Sequence, residues 1–322
     1  MNDIARKYTN NFIADFETAK RICRWDGDGA AATLAAVYIG NDMPTDISNL
    51  TRAQQTIKKN ARYFSGIRSG YARNIALAAV ASAEDQEQAV KEIAAIEAAL
   101  KPGFFESYQW IICASLIYLY DRNSDHSEAV NRTRMIYKEI ASNHPVIGGS
   151  KHVANCALLA MSGKEPIHAA NDYEENYNEL VKIYGRGSAT LYAAAAMSLF
   201  GGGADIKAQK VAALHQNLKK LRFHFTTDGL EIIALISGLF GENPHAVLSN
   251  MTEVSRELSK VRGMGSWGVG DKVRNMLAAT IVIDSFTSDH QAAYFAKQAI
   301  LNIICAAMAD NDAATAAIVT TM

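Results

Sequence analysis

Along the chain, apolar positions fall into two alternating kinds of helical segment. In the first kind they run almost unbroken: "SGYARNIALAAVAS" (69–82), "ESYQWIICASLIYL" (106–119), "GGSKHVANCALLAM" (148–161), "GRGSATLYAAAAMSLF" (185–200), "TDGLEIIALISGLF" (227–240) and "VGDKVRNMLAATIV" (269–282). Most open on a small or capping residue and become an alanine-containing apolar helix. Ala78, Ala114, Ala157, Ala195, Ala234 and Ala279 mark their centres, at steps of 36, 43, 38, 39 and 45 residues. A weaker copy, "GDGAAATLAAVYIG" (27–40), begins the series. The second kind is two-faced. Val247, Met251, Val254, Leu258 and Val261 advance by four, three, four and three, which makes one apolar stripe with charge opposite. Val211, Leu214, Leu218 and Leu221 repeat that stripe, and 84–101, 125–142 and 170–184 resemble it.

A helix without a polar face needs neighbours on several sides, whereas a two-faced helix belongs outside. Few runs alternate with the period of a strand, and five prolines leave long stretches free to be helical. The pattern predicts an all-α protein of α/α hairpins of about 40 residues, closed into an α/α toroid or a tightly curved α-solenoid. Each apolar helix depends on the next hairpin for cover, so 1–322 is expected to form a single domain. Residues 1–26 form its N-terminal capping helix region, and 285–322 a C-terminal helix and tail covering the last hairpin.

Composition narrows the function. The chain has 322 residues, 49% hydrophobic and 20% charged, with a formal net charge of -1. No overall basic field draws it onto nucleic acid or an anionic membrane. The strongest apolar run, "SYQWIICASLIYLY", falls short of the roughly 20 residues that a membrane span needs. The polar amino end lacks the core of a signal peptide. Cys23, Cys113, Cys156 and Cys305 are widely spaced without a CxxC, which predicts reduced, buried thiols in a cytoplasmic protein.

Candidate chemistry is sparse. His152 and Cys156 stand one helical turn apart, but a zinc site needs three or four ligands and no second pair occurs at suitable spacing. No metal and no cofactor is expected. Gly263, Gly265 and Gly268 match G-x-G-x-x-G, yet a helix precedes them where a dinucleotide site requires a strand. The plain reading is a helix stop and a turn, with Asp271 capping the next helix. Asp26 and Asp28 in "WDGDG" have a spacing that can hold a cation or supply an acid and a base, but the favoured reading is a turn with a helix cap. Neither G-x-S-x-G nor H-E-x-x-H occurs.

The repeat itself creates one constellation. If the hairpins wrap around an axis, the glycine-rich entries to the apolar helices share one rim, where helix amino ends favour anions. Arg68, Arg73, Lys151, His152, Arg186, Lys272 and Arg274 lie in or beside those entries, with Tyr71 and Trp267 as flat surfaces. Asp26, Asp28 and His152 are the candidate catalytic groups.

Three stretches, "YFSGIRSGYARNIALAAVAS", "ASNHPVIGGSKHVANCALLAMSG" and "GRGSATLYAAAAMSLF", resemble domain-of-unknown-function family 4003, over roughly 15–285. The resemblance implies a bacterial, Gram-positive, cytoplasmic origin and an all-helical fold, and it brings no activity. After the histidine matching His144 the family carries acidic residues, where this chain has "IGGSKH". Two functions follow: a binding scaffold holding a small anionic ligand, peptide or protein on its concave face, or an α/α-toroid enzyme working on a sugar or anionic metabolite at the rim.

Overall fold

The computed structural model describes residues 1–61, 66–68, 72–101, 108–121, 125–241, 244–266, 268–288 and 290–320, and for 151 and 306–320 it describes the backbone only. Among the described residues the fold is all-helical, without a strand. One set of helices comprises α1 (Asp3–Ile22), α3 (Ile47–Asn60), α5 (Gln86–Leu100), α7 (Ser127–Asn143), α9 (Pro166–Tyr184), α11 (Ala204–Lys220) and α13 (His245–Ser259), and its last five members are the segments read as two-faced. The apolar segments form the shorter α2 (Gly27–Val37), α4 (Arg73–Ala81), α6 (Tyr108–Tyr120), α8 (Val153–Ala160), α10 (Ser188–Met197) and α12 (Leu230–Phe240), and then α14 (Asp271–Phe286). A long helix, α15 (His290–Thr320), follows.

Burial follows the pattern. The six marker alanines are all buried, and α2 and α10 are buried without interruption over 30–37 and 190–197. Alanine in that role lets helix axes approach closely while still removing apolar surface from water. The outer helices bury one stripe each, such as Val247, Met251, Val254 and Leu258 of α13. Two stripe members lie past their helix ends: Leu221 caps α11 and is 61% exposed, and Val261 follows α13 half-buried. Side-chain caps start several outer helices. Asn2 accepts from Ala5 N at 2.6 Å, Asp46 from Ser48 N at 2.9 Å, and Asp85 from Gln88 N at 3.0 Å.

Each apolar helix packs on the next, from α2 through α4, α6, α8, α10 and α12 to α14. Among the outer helices, α1, α3, α5, α7, α9 and α11 pack in the same succession. The first helix also meets the last hairpin, because α1 packs on α13 and α14. There the amino terminus pairs with Glu253, Asn2 N donates to Asn250 Oδ1 at 2.7 Å, and Lys20 Nζ donates to Arg262 O at 3.1 Å.

The carboxyl-terminal helix does more than cover the last hairpin. Besides α14 it packs on α2, α6, α8 and α12. Its Ala292, Phe295, Ala296, Ala299, Ile300 and Leu301 are buried among them. The sequence could not announce this, since a helix apolar on most sides fits any core. Nor does Asp271 cap α14. Gly270 holds the cap position, and Asp271 begins the helix in an ion pair with Arg274 at 2.7 Å.

Candidate functional site

The expected rim residues are distributed over several environments. Arg73, the first residue of α4, pairs with Asp26 at 2.7 Å and reaches Asn74 Oδ1, so the two charges answer each other at the surface. Asp28 is half-buried against the glycine turn before α14. A Cβ on Gly263 would stand 2.7 Å from its Oδ1, and one on Gly268 2.8 Å from its Oδ2. That close approach, together with φ of +100° at Gly263, accounts for the glycine spacing without a dinucleotide. Arg274 also donates to Met264 O at 3.2 Å, which ties the same turn down. Arg68 is half-buried, and Arg186 and Lys272 are exposed. Tyr71, Trp267 and the Lys151 side chain lie outside the described residues.

His152 is fully buried and belongs to a cluster the sequence did not reveal. Its ring stacks on Tyr192 of α10 at 4.3 Å, and its Nδ1 lies 3.3 Å from the Tyr173 hydroxyl of α9. One residue into the next turn, Asn155 Nδ2 donates to Glu231 Oε1 of α12 at 2.7 Å. Burial holds the Glu231 carboxyl well above its ordinary range; Asn155 partly opposes this, and Asp228 adds to it. A carboxyl whose pKa is raised by burial therefore sits inside the protein, at the amino ends of α8 and α12. Cys156 is plain core: buried, with its thiol pushed far up by desolvation. Among the described residues no group of three or more His, Cys, Asp or Glu could hold a metal ion.

The largest described cavities lie at the other end, where α2, α4, α6, α8 and α14 finish and α15 begins. One of about 640 Å³ lies between α15 and the ends of α6 and α8. A second, of about 440 Å³, lies between α15 and the ends of α2 and α14. Tyr120, His290 and Tyr294 line both. The rings of Tyr120 and Tyr294 stack at 3.8 Å and 9°, forming a partition. The Tyr120 hydroxyl is buried without a hydrogen-bond partner among the described residues. Burial raises its pKa first, with Tyr294 and Asp284 adding to it.

Charges at this end are already engaged. Lys297 of α15 stands 3.6 Å from Asp284 and 5.8 Å from the Tyr294 ring centre. Burial raises the Asp284 carboxyl and lowers the Lys297 ammonium, and each partly restores the other. Gly40 makes room for the pair: its φ is +86°, and a Cβ there would fall 1.6 Å from Asp284 Oδ2. Arg132 donates to Ala160 O at 3.2 Å and also to Lys164 O. Lys164 and Lys207 likewise donate to Ser198 O and Met197 O, at 2.6 and 3.2 Å. Cations from neighbouring segments thus satisfy carbonyls at the negative ends of α8 and α10. Acidic side chains line the larger cavity at Asp121 and Glu128.

Two buried side chains of α15 stand out. Gln298 and Asn302 have neither amide atom paired among the described residues. Among the described residues, no helix is long and apolar enough to cross a membrane. The family model described as "Protein of unknown function (DUF4003)" matches residues 15–310. No curated protein and no solved structure matches the chain.

Proposed function

The chain belongs to the DUF4003 family of proteins of unknown function, and from that premise we propose that it is a small-molecule-binding protein whose ligand lies beside α15, at the carboxyl ends of the apolar helices. The observation that carries this reading is the pair of cavities, about 640 and 440 Å³, divided by the Tyr120–Tyr294 stack. Both volumes fall in the range of ordinary small-ligand sites. The ligand class follows from the lining. Arg132 and Lys297 are occupied, Asp121 lies 2.9 Å from His126 and Glu128 3.8 Å from Arg132, and helix carboxyl ends point their field here. A neutral or cationic molecule with several hydrogen-bond donors and a flat face suits the tyrosines, as a sugar or an aryl amine would.

The architecture we propose is an α/α toroid of about 40-residue hairpins, one cooperative domain over 1–322 with α15 along its axis. Packing of α1 on α13 and α14 supports closure, and the five apolar helices touched by α15 support the axial placement. A filled axis disfavours a long peptide on the concave face and favours a compact ligand. The setting we propose is bacterial and cytoplasmic. Four buried cysteines without a disulfide among the described residues support a reducing compartment.

The test is a thermal-shift screen with sugars, aryl amines and nucleosides, repeated on Tyr120→Leu and Tyr294→Leu. A ligand at 100 times its Kd should stabilise the wild type by about 2.7 kcal/mol, and either substitution should remove the shift. A hit that stabilises both variants as much as the wild type would place the ligand elsewhere.

One observation favours the enzyme alternative: the buried Glu231 carboxyl, its pKa raised by desolvation, hydrogen-bonded to Asn155 near His152 at the opposite end. It would act as a general acid. Undiminished turnover of any substrate by Glu231→Gln would end that alternative.

A further inference from the structure

A third cavity, of about 310 Å³, lies at the amino ends of α10 and α12, on the far side of the protein from the tyrosine partition. Four basic side chains line it: His215 and Lys219 of α11, His224 of the following loop, and Lys272 of α14. No acidic side chain lines it, in contrast to both cavities at the opposite end. Lys219, Lys272 and His224 have no ion-pair partner among the described residues. Asp228 is close in sequence but is absent from the lining, and its charge acts on Glu231 and Tyr192.

Thr190, Thr226 and Thr227 also line it, and the rest of the lining is apolar or aromatic. Phe223 and Phe225 meet edge to face at 5.5 Å and 87°. Leu218, Leu230 and Ile233 complete that apolar surface. The imidazole of His215 is fixed by stacking on Tyr184, and its Nδ1 lies 3.2 Å from the Tyr184 hydroxyl. Lys219, His224 and Lys272 are exposed, and burial, then Lys219, lowers the pKa of His215, so the two ammonium groups supply the positive charge and the imidazoles supply hydrogen-bonding nitrogens. A compact anion would receive charge-assisted hydrogen bonds from ammonium and imidazole groups. The phenylalanine wall would meanwhile cover an apolar body attached to it.

We propose that this cavity is an anion site for a small molecule with one aromatic ring and a phosphate, sulfonate or carboxylate group. It is independent of the tyrosine-lined cavities. Of the basic rim residues expected from the sequence it uses Lys272, and it adds His215, Lys219 and His224, which lie outside the glycine-rich entries.

The experiment is calorimetric titration of the full chain with phenyl phosphate, with inorganic phosphate and phenol as its two halves. Saturable binding of phenyl phosphate is expected, at least about tenfold tighter than either half, which corresponds to about 1.4 kcal/mol. The double variant Lys219→Met, Lys272→Met should weaken it at least about tenfold, with an unchanged melting temperature in the absence of ligand. Tyr294→Leu should leave it unchanged. Absence of saturable binding, equal affinity in the double variant, or loss in Tyr294→Leu would overturn the assignment.

Discussion

Replacing Glu231 by glutamine tests whether a neutral acid is built into the interior. The carboxyl is buried, accepts from Asn155 Nδ2 at 2.7 Å, and has its pKa raised by desolvation above the ordinary 4.5. The unfolded chain therefore releases this proton from about that pH, while the folded chain keeps it. Over that window the unfolded state binds fewer protons, so stability falls as the pH rises. The slope for one whole proton is about 1.4 kcal/mol per pH unit, lost until the folded-state pKa is reached. Glutamine has nearly the same shape, can still accept from Asn155, and does not titrate. Relative to wild type, Glu231→Gln should therefore gain stability as the pH rises from 4.5 toward the raised folded-state value, at up to about 1.4 kcal/mol per pH unit. Asp15 behaves similarly, its carboxyl raised to about 6 by burial, but it is the same in both proteins and drops out of their difference. Asp284 is raised as well, but its contribution is common to both proteins and cancels in the difference. Urea unfolding at each pH, with equal m-values, measures this. A stability difference that stays flat from pH 4.5 upward would show an unshifted Glu231, a variant that loses ground as the pH rises would show a charged one with a cationic partner, and either would refute the reasoning.

Gly40→Ala should cost more than about 2 kcal/mol, because it combines a strained φ with a Cβ 1.6 Å from Asp284 Oδ2. Adding Asp284→Ala should recover part of that loss in a double-mutant cycle, whereas strict additivity would deny the contact. Gln298→Leu and Asn302→Leu each remove a buried amide with no partner among the described residues, and each should raise stability by about 1–3 kcal/mol in urea unfolding. Destabilisation by either would mean that these amides are satisfied in solution.

Much of the architecture was legible because helical periodicity is local. Ala78, Ala157 and Ala195 lie in unbroken apolar runs, and a run without a polar face has to be buried wherever it packs. The stripe from Val247 to Leu258 needs only the turn of its own helix to become one buried edge. The site was far less legible. His152 was visible as a polar residue at a helix start, but Glu231, 79 positions later, reads as one acidic residue at another. Only packing of α8 against α10, and of α10 against α12, brings their environments together. A lone glutamate at the head of an otherwise apolar helical run was the available signal.

The sequence by itself determined the two helix types, their alternation, the inside position of the alanine-rich set and the family, since each depends on composition within a few turns. Tertiary structure alone decided which carboxylate meets which cation and where space remains. Asp26 answers Arg73 and Asp284 answers Lys297, while Lys219 and Lys272 share a cavity that no acidic side chain lines. The physical reason is range. A helix forms from neighbours three and four positions apart, whereas charge, desolvation and cavity shape depend on groups that the chain brings together across tens or hundreds of residues.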